Sequence, residues 1–299
     1  MRIIHTGGQY EMSQAPPDSV PKVSIVINYF NPKAVPRVDT ITTLCLQSLK
    51  EFTQNPLEVI LSNGSGVDSP AMMVLCEQLG FRYTLSPVPQ NFEAIYNHGL
   101  GLARGEYVGI MENDIFVTEQ WDAKMIAEMQ RTGAHFAVPY LTSCDNIIQQ
   151  LGFPAQHWTF EPTMISHNMM LFDRKAFGVL VPLDTQFNGS HDDLDTYLRL
   201  KAANIRMIVC RNVGMIHYRR ATAVYNPWTF SEDLEKFKLK YPELEYWDGW
   251  GAICIADRRF CRSSIYRWLL RAASMIRPKR VGRYAYLHTM RLEPLFHRI

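Results

Sequence analysis

The chain has 299 residues, of which 47% are hydrophobic and 20% are charged, and its formal net charge is +2. This composition is typical of a globular protein and excludes a wholly disordered chain. No apolar run reaches the roughly 18 residues of a membrane-spanning helix, and residues 1–20 lack the apolar core of a signal peptide, so we expect a cytoplasmic protein.

Short apolar strands alternate with amphipathic helices from residue 21 onward, after a flexible N-terminal arm over residues 1–20. The predicted strands cover 23–27, 57–61, 83–85, 107–111, 135–141, 169–172 and 207–209, and the predicted helices cover 38–54, 69–80, 92–103, 119–131, 193–203 and 231–241. This alternation indicates an α/β domain with a mainly parallel central sheet and helices on both faces. Ligands of such sheets bind beyond the carboxyl ends of the strands, where the polar segments 28–31, 62–65 and 112–114 fall.

Candidate metal ligands follow the strand at 107–111. Glu112 and Asp114 are spaced i and i+2, so in an extended chain their carboxylates project to the same side. Oxygen ligands of this kind suit Mg²⁺ or Mn²⁺. His217 is either a hydrogen-bonded structural residue or a further ligand of an Mn²⁺-type site. The alternative for the acidic pair is a polar loop that leads into the next helix with Thr118 as its N-cap.

A second acidic cluster, formed by Asp192, Asp193 and Asp195, opens the helix at 193–203. Carboxylates in a first turn interact favourably with the helix dipole, so capping alone could account for one or two of them. Crowded carboxylates also raise one another's pKa, which suits a general base. Asp195 and Arg199 are spaced to pair along the helix, which is a structural role.

Several segments, in order along residues 23–220, resemble the motifs of the family 2 glycosyltransferases with the GT-A fold. They are Tyr29-Phe30-Asn31 at T-Y-N, residues 57–65 at the strand ending in D-N-G-S, Asn97 and Gly99 with residues 103–108 at N-x-G…A-R-G-E-Y-V, residues 111–114 at D-x-D, residues 192–195 with Arg199 at E-D-x-D…R, and His217 at the closing histidine. Each motif alone is weak, and the ordered set is specific.

The resemblance implies a GT-A catalytic domain over residues 21–225 that transfers a sugar from a nucleotide diphosphate-sugar donor with inversion. It implies Asp193 as the catalytic base and Asp114 and His217 as ligands of Mn²⁺ or Mg²⁺. The residues that it implies around the nucleotide are Phe30, Asn31, Ser62, Asn63, Asn97, Glu112 and Asn113. A glycan or lipid-linked saccharide is the expected acceptor, with its specificity in the loops 142–167 and 221–257.

Two positions depart from the family pattern. Ser62 replaces an acid that commonly contacts the nucleoside, which leaves the nucleotide preference open, and Glu112 replaces the first Asp of D-x-D. The Q-x-x-R-W signature of processive synthases is absent, which favours addition of a single sugar. Two alternatives stay open: a retaining transferase on the same fold, and a degenerate domain that acts as a nucleotide-sugar sensor or scaffold.

The C-terminal part divides into an aromatic-rich connector over residues 226–257 and a basic helical tail over residues 258–299. The tail has eleven Arg or Lys against one acidic residue, a charge of +10, whereas the other 257 residues carry −8. Apolar residues recur on one stripe of a predicted helix at 260–277, which indicates a basic amphipathic helix. This helix either contacts the inner face of a membrane, as a peripheral protein would, or packs on protein. No nucleic-acid-binding module is recognised, so nucleic acid is not an expected partner.

Six cysteines lie far apart in the sequence and form no CxxC pair: Cys45, Cys76, Cys144, Cys210, Cys254 and Cys261. Most of them fall in apolar segments. We therefore predict buried, reduced thiols, which fits a cytosolic compartment.

Overall fold

A computed structural model of the chain describes residues 20–141, 165, 167–218, 230–242, 244–249 and 252–257. The predicted arm lies outside the described residues except for its last position, and the predicted basic tail lies outside them entirely. The same holds for residues 142–164 and 219–229, which make up most of the first predicted acceptor loop and part of the second.

The described residues form ten strands and seven helices. The strands are β1 (Val23–Tyr29), β2 (Leu57–Asn63), β3 (Arg82–Leu85), β4 (Tyr107–Glu112), β5 (Ile115–Phe116), β6 (Phe136–Leu141), β7 (Met169–Asp173), β8 (Met207–His217), β9 (Leu244–Gly249) and β10 (Ala252–Asp257). The helices are α1 (Pro36–Phe52), α2 (Pro70–Leu79), α3 (Phe92–Leu100), α4 (Trp121–Thr132), α5 (Arg174–Leu180), α6 (Asp192–Ala202) and α7 (Phe230–Lys240).

Eight strands form one sheet in the order β3-β2-β1-β4-β7-β6-β8-β5. The first four are mutually parallel, and β6 is parallel to β8. Strand β7 runs antiparallel to both of its neighbours, and β5 runs antiparallel to β8. The predicted fold class, a mostly parallel sheet within an α/β domain, is therefore confirmed. Strands β9 and β10 form a separate antiparallel hairpin within the predicted connector.

Helices cover both faces of the sheet, as predicted. Apolar residues of α1, α2 and α4 pack with one face in a first core cluster, whereas those of α3, α5 and α6 pack with the other face in a second cluster. Helix α3 lies especially close to β1, because a Cβ atom on Gly99 would fall 2.3 Å from a methyl carbon of Val26. Only glycine permits this approach of helix to strand.

Three of the predicted reduced cysteines lie among the described side chains. Cys45, Cys76 and Cys210 are buried and unpaired, and burial raises the pKa of Cys76 to about 12. Buried thiols with raised pKa values are inert structural groups.

Two local details differ from the sequence analysis. The strand predicted at 207–209 continues to His217 as β8, because it pairs first with β6 and then with β5. Thr118 does not cap α4, since its hydroxyl donates a 2.6 Å hydrogen bond to the Gly214 carbonyl. Helix α4 begins instead after Gln120, whose backbone is left-handed with φ of 58°.

Within the described residues, no helix combines the length and apolar character that a membrane span requires.

Candidate active site

Polar residues of neighbouring parallel strands meet at the carboxyl edge of the sheet. Asn28 at the end of β1 lies in register with Ser62 on β2 and with Glu112 on β4. Residues in register on adjacent strands share a face. The predicted gathering of polar strand ends is therefore present.

Glu112, Asp114 and His217 converge at this edge. Nε2 of His217 lies 3.1 Å from a carboxylate oxygen of Glu112 and 3.3 Å from Oδ1 of Asp114. Asp114 and His217 are buried, and Glu112 is partly exposed. Ligands bound at about 2.1 Å to a small divalent cation lie roughly 3 Å apart. The spacing and the oxygen and imidazole donor set therefore fit a small divalent cation.

The turn after β4 and the β5–β8 pairing produce this convergence. Strand β4 ends at Glu112, so Asp114 reaches the cluster through a turn rather than through the extended spacing that the sequence suggested. The pairing places His217 directly opposite Ile115, next to Asp114. Asn113 faces elsewhere, since its amide donates a 2.7 Å hydrogen bond to Thr42 of α1.

The acidic helix α6 begins after His191, which has a left-handed backbone with φ of 61°. Asp195 is buried and serves the structure: it accepts a 2.7 Å hydrogen bond from Tyr241 and pairs with Lys240. Arg199 lies 3.9 Å from Asp195, as its spacing predicted. Helix α7 and the residue after it thus hold α6 in place.

Asp193 follows Asp192 in the first turn of α6. It is partly buried and accepts a 2.8 Å hydrogen bond from the Leu194 amide. Burial, together with the neighbouring Asp192 carboxylate, raises the pKa of Asp193 to about 7. A base of this pKa is matched to proton transfer at neutral pH.

Asp192 belongs to a buried cluster with Glu93 and His167. Nδ1 of His167 lies 3.1 Å from Asp192 and 3.4 Å from Glu93. Tyr96 on α3 is buried and interacts electrostatically with both clusters. Burial raises the pKa of Tyr96 well above its usual value, and the charges of Glu112, Glu93, Asp192 and Asp114 add to that shift.

The residues predicted around the nucleotide shape the loops at this edge. The Asn31 side chain bonds to both the amide and the carbonyl of Val35, and Asn97 does the same with Leu183, at 2.7–3.1 Å. Phe30 is buried, with its ring 6.5 Å from that of Phe92. Their predicted contact with a nucleotide stays a prediction.

Ser62 and Asn63 are fully buried. The Ser62 hydroxyl donates a 2.8 Å hydrogen bond to the Ile95 carbonyl, and the Asn63 amide donates to Val67 and Tyr83. Both side chains therefore form hydrogen bonds within the protein.

Asn28 is a candidate that the sequence did not single out. It is 4% exposed, yet neither side-chain amide atom has a hydrogen-bond partner among the described residues. Such a group costs about 1–3 kcal/mol when left unsatisfied. Its place in the polar segment 28–31, directly after the first predicted strand, was the available signal.

A family model described as "Glycosyl transferase family 2" matches residues 24–179, which is more than half of the chain. The chain belongs to this family. The matched segment contains Asn28, Glu112 and Asp114. Helix α6 and His217 lie after its end.

Two curated relatives of this family 2 member are similar over part of their length. The chain is 23% identical over 269 residues to "O-antigen biosynthesis protein RfbC" of Myxococcus xanthus, covering 79% of this chain and 19% of that protein. It is 25% identical over 108 residues to "Putative glycosyltransferase EpsH" of Bacillus subtilis, covering 36% of this chain and 30% of that protein. The chain therefore spans less than a third of each relative.

Solved structures share the fold. The structure of GalNAc-T7 with UDP, GalNAc and Mn²⁺ aligns with a TM-score of 0.57 at 12% identity, covering 92% of this chain and 54% of that one. The structure of S. aureus TarS 1–349 aligns with a TM-score of 0.50 at 15% identity, covering 66% of this chain and 60% of that one. At these identities the likeness establishes the GT-A fold.

Proposed function

We propose that this protein transfers a sugar from a nucleotide diphosphate-sugar to a hydroxyl group of a saccharide or lipid-linked glycan, with a divalent metal and with inversion at the anomeric carbon. The observation that carries the proposal is the convergence of Glu112, Asp114 and His217 at the carboxyl edge of the sheet. Family membership supports the reaction class.

Asp114 and His217 would hold the metal, and Glu112 would reach it directly or through water. When bound, the ion neutralises negative charge that develops on the diphosphate leaving group. The imidazole among the ligands favours Mn²⁺ over Mg²⁺, because hard Mg²⁺ prefers oxygen ligands alone. The GalNAc-T7 structure, which contains Mn²⁺ with UDP, is a precedent on the same fold.

The nucleoside would bind at the ends of β1 and β2. Ser62 donates its hydroxyl hydrogen to Ile95 and has no charge, so it would not supply the nucleoside contact that the family's acid makes. The Asn28 amide, which is buried and has no hydrogen-bond partner among the described residues, would pair with a nucleobase edge. Phe30 would pack beside the base, while Asn31 and Asn97 hold the surrounding loops.

Asp193 would remove the proton from the acceptor hydroxyl as its oxygen attacks the anomeric carbon. The new glycosidic bond forms on one face while the bond to the diphosphate oxygen breaks on the other, so the configuration inverts. The diphosphate leaves with the bonding electrons, and the proton stays on Asp193. The raised pKa of Asp193 supports this role, since the carboxylate is then a sufficiently strong base.

The acceptor would be a cell-surface glycan precursor, in keeping with the O-antigen name of the Myxococcus relative. The +10 charge of residues 258–299 supports contact with the anionic inner face of a membrane, where lipid-linked saccharides are found. We propose a cytoplasmic protein that binds this surface peripherally.

A thermal-shift screen of nucleotide diphosphates and nucleotide-sugars, each with and without Mn²⁺, tests the donor and metal. A ligand at a hundredfold excess over its Kd stabilises the native state by about 2.7 kcal/mol. A shift that requires Mn²⁺ and one nucleotide supports the proposal, whereas no shift with any donor would favour a degenerate domain. NMR of the transferred sugar then separates inversion from retention.

A further inference from the structure

Glu93, His167 and Asp192 form a buried ionisable cluster with no part in the reaction described above. They come from three elements: Glu93 lies in the first turn of α3, His167 precedes β7, and Asp192 is the first residue of α6. Nδ1 of His167 faces both carboxylates, at 3.1 Å from Asp192 and 3.4 Å from Glu93. Its other nitrogen lies 2.8 Å from the Thr196 hydroxyl, which also belongs to α6. The imidazole therefore joins α6 at two points to α3 and the entrance of β7.

The carboxylates of Glu93 and Asp192 favour a cation among these groups. Glu93 is 1% exposed, and its side-chain oxygens have no good hydrogen-bond geometry to any described residue. Among the described residues, the ion pairs of Glu93 and Asp192 are made with His167. Two buried carboxylates without a counter-charge would cost several kcal/mol. A proton on His167 supplies that charge.

Electrostatic interactions within the cluster favour an imidazolium. Although burial opposes a charge there, the Asp192 and Glu93 carboxylates hold the pKa of His167 well above its usual value. Burial alone would also raise the pKa of Asp192, yet His167 lowers it to about 2. Burial raises the pKa of Glu93 to about 7. Among the described residues, Tyr96 from α3 and Asp193 from α6 are further ionisable groups that interact with the cluster.

We propose that His167 is a positioning residue for the active site: its imidazolium pairs with Glu93 and Asp192 together and fixes the first turn of α6, which carries Asp193. This inference rests on the proposed function, in which Asp193 is the base. Loss of the imidazolium would remove the group that joins Glu93 and Asp192 at this turn. A displacement of about 1 Å at a catalytic group costs as much as 100-fold in rate.

The protonation of His167 can be measured without any assay of activity. We would record ¹⁵N NMR spectra of the full chain labelled at histidine, and assign His167 by its loss in His167→Gln. We expect both ring nitrogens to stay protonated from pH 6 to 8, and Asp192→Asn to move the titration to lower pH. A neutral ring at pH 7 would overturn the proposal. So would a stoichiometric metal ion that His167→Gln abolishes, because a cation would then replace the proton.

The kinetic test compares His167→Gln with His135→Gln. His135 is a matched control, because it pairs with Asp173 at 2.7 Å but lies at the opposite edge of the sheet. We expect kcat of His167→Gln to fall about 10- to 100-fold with the donor KM changed by less than about threefold, and His135→Gln to match the native enzyme. An unchanged kcat in a folded His167→Gln protein would refute the positioning role.

The two proposals fail separately. An active Asp193→Asn protein would remove the base assignment, while the NMR titration would still report whether His167 is an ion-paired imidazolium. An inactive Asp193→Asn protein together with fully active His167→Gln would leave the proposed function standing and remove the positioning role alone.

Discussion

Nε2 of His217 lies 3.3 Å from Oδ1 of Asp114, although just over a third of the chain separates the two residues. The antiparallel pairing of β5 with β8 creates this contact. A cation bound there would link the end of β4 to the end of β8.

Asp114→Asn is expected to weaken Mn²⁺-dependent nucleotide binding about 10- to 100-fold, because an amide is a poorer ligand for a hard cation than a carboxylate. Isothermal titration with the nucleotide, with and without Mn²⁺, measures the effect. Glu106→Gln, at the opposite end of β4, is the control. Unchanged metal dependence in Asp114→Asn would contradict the ligand role.

Asp193→Asn is expected to lower kcat by about 10²- to 10⁴-fold, the usual contribution of a general base, with donor affinity nearly unchanged. The base must be deprotonated to act, and its pKa is about 7. The kcat of the native enzyme should therefore fall as the pH drops below about 7. A pH–rate profile checks both points, with Glu128→Gln on α4 as the control; a flat profile between pH 6 and 8 would argue against Asp193.

Asn28→Ala is expected to separate binding from stability. Removing an unsatisfied buried amide should leave the free energy of unfolding unchanged or higher, while nucleotide affinity falls about tenfold from the lost hydrogen bonds. Asn63→Ala is the contrast, since its side chain is fully bonded and its loss should cost about 1–3 kcal/mol. Urea unfolding and nucleotide titration provide the two measurements. Full affinity in Asn28→Ala would remove this residue from the nucleotide site.

Glu93→Gln is expected to flatten the pH dependence of stability. Because the folded state raises the pKa of Glu93 to about 7, its contribution is fully present below about pH 4.5 and is lost as the pH rises through about 7. The glutamine side chain cannot ionise. Between pH 5 and 8 the free energy of unfolding of the variant should therefore fall by about 1–3 kcal/mol less than that of the native protein. Urea unfolding at both pH values measures the difference.

Glu58→Gln is a control, because the contribution of Glu58 to stability changes with pH in the opposite direction. Although burial opposes it, hydrogen bonds from Ser24 and Arg104 lower the pKa of Glu58, so its contribution is present at neutral pH and lost in acid. Parallel behaviour of the two variants would contradict the assignment for Glu93.

Gly105→Ala is expected to destabilise the fold by about 1–3 kcal/mol. A Cβ atom there would lie 2.6 Å from the Ser24 nitrogen and 2.7 Å from the Tyr107 oxygen, and backbone atoms cannot move aside as side chains do. Gly178→Ala on α5 meets no atom within 4 Å and should stabilise by about 0.5–1 kcal/mol. Equal effects in urea unfolding would refute this explanation for the glycine at position 105.

Sequence patterns alone identified the main strands and helices, because a period of two or 3.6 residues reports directly which face of an element is buried. They also identified Glu112, Asp114 and the acidic start of α6, since these follow strand ends or open a helix. Asn113 shows the limit of such reasoning: its place in the motif suggested a ligand contact, whereas its amide is directed to Thr42.

Tertiary structure alone decided which distant residues meet. Glu93 resembles an ordinary acid in a first helical turn, and His167 an isolated polar residue before a strand. Their contact with Asp192 depends on how α3, β7 and α6 pack. The full length of β8, and with it the place of His217, depends on pairing with β6 and β5. Local periodicity carries no information about such contacts, because packing among elements far apart in the chain selects them.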